Sequence, residues 1–160
     1  MHNIPIIGYT FIRGEIMIGI FIALISGALM SIQGVFNSEV TKASSVWTAS
    51  AFVQLSAFAV CMIAYFVTDR GDIMAPLRVE PKYMLLGGAI GAFITYTVIR
   101  SMEMLGPAKA VMLIVVAQVF VAYLIELFGL FGVEKAQFSW QKVIGMLLAV
   151  AGIILFKWKQ

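Results

Sequence analysis

Apolar and polar residues fall along this chain in long blocks rather than at short periods. Five apolar runs stand out, at residues 17–37, 46–67, 83–102, 108–130 and 143–156. The first four approach the ~20 residues that a helix needs to cross a bilayer. The fifth has about 14 apolar residues, roughly 21 Å of helix, and crosses only if residues 138–141 are drawn in. Trp140 and Trp158 flank it as interfacial anchors. Pro81 and Pro107 stand where the third and fourth runs begin, which suits a helix start. The connections, 38–45, 68–82, 103–107 and 131–142, are polar, and the second holds most of the loop charge. The pattern predicts a single bundle of five transmembrane helices with no pair of segments repeating another.

Residues 1–16 break the apolar pattern with Pro5, Gly8, Arg13 and Glu15, and are too short to span. Met17 is a second start position, since the clean run begins there. The segment reads as an interfacial lead-in or an alternative-start extension, ahead of a transmembrane domain at 17–160. It lacks the charged start, compact apolar stretch and cleavage site of a signal peptide.

Composition turns this pattern into a class. Hydrophobic residues make up 62% of the 160, against roughly 45–50% in a soluble domain. Charged residues are 12%, about half the usual share. No soluble core of this length buries so much apolar side chain, so the chain is an integral, all-α membrane protein in contact with the lipid bilayer. The net charge of +3 comes from loops without a basic cluster, which argues against nucleic acid. The lone Cys61 reads as a packing residue. The only histidine, His2, lies outside the membrane portion, which removes the usual triads and metal sites. No run carries paired acids. The expectation is a protein that is not an enzyme and needs no metal and no cofactor.

The polar residues inside the runs are therefore the candidates. The stretch GALMSIQGVFNSEVTK, residues 27–42, carries Gln33 and Asn37 four residues apart, on one helical face. Ser26, Met30, Gln33 and Asn37 follow a 4-3-4 spacing along that face. A carboxamide brings donors and acceptors that must find partners, and lipid supplies none. Gln118 sits mid-run in the fourth helix. Glu126, eight residues on, is the one carboxylate inside an apolar run, and an ionisable group at membrane depth is by default functional. Trp47, Tyr96 and Tyr123 are candidate walls of a substrate site. The blander readings stay open: Gln33, Gln54, Gln118 and the serines could bond neighbouring helices, and Glu126 could face interfacial water or pair with Lys135 or Lys142. Arg100 reads as a side chain that snorkels outward.

Small residues suggest where backbones approach: Gly27 with Gly34, Gly87 with Gly91, and Gly145 with Ala149 and Gly152. These stripes serve either internal packing or a dimer seam. Orientation is nearly undetermined by charge. Arg13, Arg70, Arg78, Lys82, Lys135 and Lys142 fall on the N-terminal side, six residues, against five at Lys42, Arg100, Lys109, Lys157 and Lys159. The cytoplasmic side normally shows a clear excess. Either the charges of the 68–82 connection fix one orientation, or the chain inserts both ways. In an inverted partner Glu126 would come to the depth of Gln33 and Asn37, so an antiparallel dimer could gather these groups around a shared cavity.

The residues also carry a likeness. GALMSIQGVFNSEVTK resembles the first-helix signature of the YdcZ-like family in the drug/metabolite transporter superfamily, with its Gly-rich start, Gln and then Asn four later. LLGGAIGAF, LGPAKAVMLIVVAQVFVAYLIELFGLFG and WQKVIGMLLAVAGIILF resemble the rest, over about residues 17–157. Gln118 matches the family's mid-helix Gln. Glu126 stands where members often have Asp, followed by Phe128, Gly129 and Leu130, and Leu127 stands where a His is common. A longer acid moves the carboxylate, and the missing His removes a proton partner. The resemblance implies a five-helix unit forming half of a ten-helix inverted-repeat transporter, in the bacterial inner membrane, paired with an inverted copy or a related chain. The expected function is movement of a small organic solute through substrate contacts at Gln33, Asn37, Gln118 and Glu126. The alternative is a non-transporting membrane scaffold, or an obligate subunit of a heteromeric complex.

Overall fold

In the computed structural model the five runs become five helices. They are α1 (Ile6–Lys42), α2 (Val46–Ala64), α3 (Gly87–Leu105), α4 (Pro107–Phe128) and α5 (Trp140–Lys157). The structure describes the backbone of residues 6–157 and the side chains of 15–156 except Asp69. His2 and Trp158 lie outside the described residues, as does the side chain of Arg13.

Several boundaries differ from the pattern, among them the start of the third helix, where Lys82–Leu86 forms a 3-10 turn after Pro81 and α3 begins at Gly87. The connection expected at 38–45 shrinks to three residues, because α1 runs on through Lys42. Asn37 and Thr41 are buried along this last turn, and Lys42 pairs with Glu39 at 2.6 Å, so packing and an i,i+3 ion pair extend the helix past its apolar run. At the other end, α1 starts at Ile6 and passes Met17 without a break. The fifth helix gains Trp140 and Gln141, reaching 18 residues or about 27 Å.

Local chemistry fixes the turns. Ser45 caps α2 by accepting the Thr48 N–H at 3.2 Å. A π-helical turn at Tyr65–Asp69 closes it, and the Tyr65 hydroxyl donates to the Gly71 carbonyl at 2.6 Å. Pro107 opens α4 at a position that needs no N–H donor. Gly129 ends it at φ 64°, ψ 39°, the left-handed conformation that favours glycine.

Chain direction reverses at each connection. The ends of α1 and α3 and the starts of α2 and α4 share one side; the end of α4 and the start of α5 lie on the other. α3 is central, packing on α1, α2 and α4, while α1 also touches α2 and α4. α5 packs on α4 alone among the described helices. Buried apolar residues are few: Ala49, Ile99, Met102, Ala110 and Tyr123. The accessible surface is 12955 Å², against about 7,900 Å² for a soluble protein of this mass. Such an apolar exterior suits lipid, not water. Helices α1 to α4 each contain a stretch long and apolar enough to cross a membrane, and α5 is a shorter apolar helix.

The glycine stripes divide. A Cβ on Gly34 would collide with Met102, and one on Gly91 would lie 3.4 Å from Gln54 Nε2. These two serve close helix approach. Gly27, Gly87, Gly145 and Gly152 face open space.

Candidate functional site

The 4-3-4 face of α1 is present as read. Ser26, Met30, Gln33 and Asn37 share an opening of about 560 Å³, and every residue lining it belongs to α1. It is a wall without an opposite wall. Gln33 is exposed in it. Asn37 is 7% exposed, and its carbonyl accepts the Thr41 hydroxyl at 2.9 Å.

Gln118 lies in an adjoining crevice of about 100 Å³ between α1, α3 and α4, with Gly27, Met30, Ser31, Val98 and Met102 around it. Met30 lines both spaces, so the crevice borders the α1 opening. Three carboxamides thus fall in two neighbouring spaces, Gln33 and Asn37 toward the end of α1 and Gln118 midway along α4.

The hydroxyls behave differently. Ser26 donates to the Ile22 carbonyl at 2.9 Å, Ser31 to Gly27 at 3.1 Å, and Thr95 to Gly91 at 3.0 Å. Ser56 returns to Val53 at 2.8 Å. These groups bond their own helices rather than neighbours, because a short hydroxyl reaches back to the preceding turn. Ser50 is the exception: its hydroxyl is buried with no hydrogen bond among the described residues. Among the described residues the side chains of Gln33, Asn37, Gln54 and Gln118 also form no hydrogen bond. That leaves their donors and acceptors available to a ligand or a second chain.

Glu126 takes the bland alternative. Its carboxylate accepts from Lys142 Nζ at 2.7 Å, at the opposite end of α4 from the α1 opening. The Lys142 ammonium lies 5.4 Å from the Tyr123 ring centre, a cation–π arrangement. Tyr123 is buried, and its hydroxyl accepts the Ser139 N–H at 3.1 Å. Within one subunit Glu126 and Tyr123 are therefore not brought to Gln33, Asn37 or Gln118. Trp47 stacks on Tyr96 at 4.6 Å between α2 and α3, with Phe93 edge-on to Trp47 at 6.4 Å. This aromatic group lines neither carboxamide space. Arg100 pairs with Glu103 at 2.9 Å, one turn on.

Ser50, read with the other serines as a possible bond to a neighbouring helix, makes none among the described residues, and the plug that Met102 makes against Gly34 has no sequence signal. No spacing rule marks either, since both follow from how α1, α2 and α3 meet. Among the described residues no group of three His, Cys, Asp or Glu side chains could hold a metal.

The family model described as "Putative inner membrane exporter, YdcZ" matches residues 18–155. No curated protein and no solved structure matches the chain.

Proposed function

Because the chain belongs to the YdcZ family, a multi-pass family of the inner membrane, we propose that it is one unit of a transporter for a small organic solute. Two units pack in opposite orientations and enclose the path between them. The observation that carries this reading is the one-sided opening on α1: Gln33 and Asn37 line it, and the Gln118 crevice adjoins it through Met30. A second unit facing α1 would supply the missing wall. The near-equal charge of six against five supports insertion in both orientations.

In this reading Gln33, Asn37 and Gln118 bind the solute by hydrogen bonds, which in a dry site discriminate strongly among polar groups. Trp47 and Tyr96 form an aromatic wall further along α2 and α3. Glu126 and Tyr123 stand apart at the α4–α5 end, where Lys142 already answers the carboxylate. Alternating access follows from the two units exchanging equivalent packings around a fixed site.

Two measurements test this. Reporters active on only one side of the membrane, fused to the C-terminus, are expected to be active in both versions. Activity from one alone would overturn inverted pairing of identical chains. A thermal-shift screen of small metabolites and organic cations, followed by liposome flux for the hits, is expected to show stabilisation that Gln118→Leu abolishes. Flux that survives Gln118→Leu together with Asn37→Leu would remove the carboxamides from the path.

A further inference from the structure

The seam between α4 and α5 holds a second space with a different chemistry. Its trough, about 250 Å³, is lined only by apolar side chains, among them Val115, Phe120, Leu147 and Val150. Its mouth, about 380 Å³, is lined by Tyr123, Glu126, Lys142 and Gly145. Val119, Met146 and Ala149 line both, so trough and mouth form one groove. From Glu126 to Val119 it descends about 10 Å along α4.

The two parts select for an amphiphile. The trough offers no hydrogen-bonding group to a polar solute or to water, and its lining is open on the outer face of the bundle, where an acyl chain can enter. The mouth offers one charge of each sign, with side-chain exposures of 48% for Lys142 and 45% for Glu126. Both are open enough to exchange partners. The adjoining loop adds Glu134 and Lys135, again one of each sign.

We propose that this groove holds a bilayer phospholipid, one acyl chain in the trough and a zwitterionic aminoethyl-phosphate headgroup at the mouth. The phosphate takes the Lys142 ammonium and the lipid ammonium takes the Glu126 carboxylate. Charge complementarity selects this occupant. When the Lys142–Glu126 pair opens, a zwitterion answers both groups, an anionic headgroup would take Lys142 and leave Glu126 unpaired, and a chain without a headgroup would leave the pair closed. The site also suits the fold, since among the described helices α5 rests on α4 alone and a seated lipid would bridge the two. It does not depend on the transport reading.

The test uses the full chain, purified in mild detergent and offered an equimolar mixture of three lipids with identical acyl chains. These are phosphatidylethanolamine, phosphatidylglycerol and diacylglycerol, with adducts counted by native mass spectrometry. The expected result is a preference for phosphatidylethanolamine of about tenfold, equivalent to about 1.4 kcal/mol. Glu126→Gln combined with Lys142→Gln keeps the shape and removes the charges, and is expected to level the three lipids. Gly145→Leu is expected to abolish the adduct with helix content unchanged, because a Cβ there meets nothing within 4 Å. No preference in the wild type, a preference that survives the double substitution, or adducts that survive Gly145→Leu would each overturn the proposal. So would a Gly145→Leu chain that keeps its lipid but loses self-association, which would assign the groove to a second copy. If Gly145→Leu fails to fold, the double substitution decides.

Discussion

Placing a leucine at Gly34 tests the meeting of α1 and α3, which the Gln118 crevice depends on. A Cβ at Gly34 would lie 2.7 Å from Met102 Sδ, closer still to its terminal methyl, and 3.6 Å from Val98 Cγ1. Favourable contacts between such atoms begin near 3.5 Å, so the overlap at sulfur alone is about 1 Å. Met102 is only 4% exposed, so its way out of the overlap is into the Gln118 crevice that it lines, which the added leucine would then fill. Overpacking of this kind typically costs about 1–3 kcal/mol. Met102→Ala alone removes buried side chain and is expected to cost about 2–5 kcal/mol by analogy with soluble cores. The double variant moves a hydrophobe of similar volume from α3 to α1, so the two losses should overlap. The expected coupling is about 1–2 kcal/mol in favour of the pair, within the range seen for residues in contact. Unfolding in mixed micelles of rising SDS content, followed by circular dichroism, gives the four stabilities. Additivity within about 0.5 kcal/mol would refute the close approach of Gly34 and Met102.

Three further outcomes are expected. Tyr123→Phe removes the acceptor for the Ser139 N–H at 3.1 Å and should cost about 1 kcal/mol in the same unfolding assay. A loss near zero would mean that water replaces the bond. Glu126→Gln should change stability by no more than about 1 kcal/mol, because both partners are roughly half exposed and solvent screens the pair. A loss above about 3 kcal/mol would show a dry, buried pair instead. Ser45→Ala should destabilise by about 1 kcal/mol through loss of the α2 cap, and an unchanged midpoint would show that the cap is dispensable.

Much of the fold was legible because one force dominates the sequence. Apolar run length located all five helices, and Pro107 marked the start of α4 for a local backbone reason that needs no tertiary context, whereas the apolar run continued to 130 past the end of the helix at Gly129. The end of α1 was not legible. Residues 38–42 are polar, and they are helical because Asn37 and Thr41 find cover against neighbouring helices. The α1 face was legible from its 4-3-4 spacing. The partner of Glu126 was not, since Lys135 and Lys142 were equal candidates until the α4–α5 turn brought Lys142 to 2.7 Å. Of the glycine stripes, spacing alone could not separate Gly34, which meets Met102, from Gly27, which meets nothing.

The contrast between hydroxyls and carboxamides narrows where recognition can occur. A serine or threonine in a membrane helix can return its one donor to the preceding turn, and Ser26, Ser31 and Thr95 do so. A carboxamide carries two donors and an acceptor on a flat group. A single backbone carbonyl one turn back cannot answer all of them. In lipid the remainder must be met by protein, by water in a cavity, or by a ligand. The chain places Gln33 and Asn37 toward the end of α1 and Gln118 midway along α4, and borders their two spaces with Met30, a flexible side chain that can adjust to what enters. Unspent hydrogen-bonding capacity beside an adaptable apolar side chain, facing an opening walled by one helix, is consistent with the shared site proposed above. A helix that only needed anchoring to its neighbours would have used that capacity within the subunit.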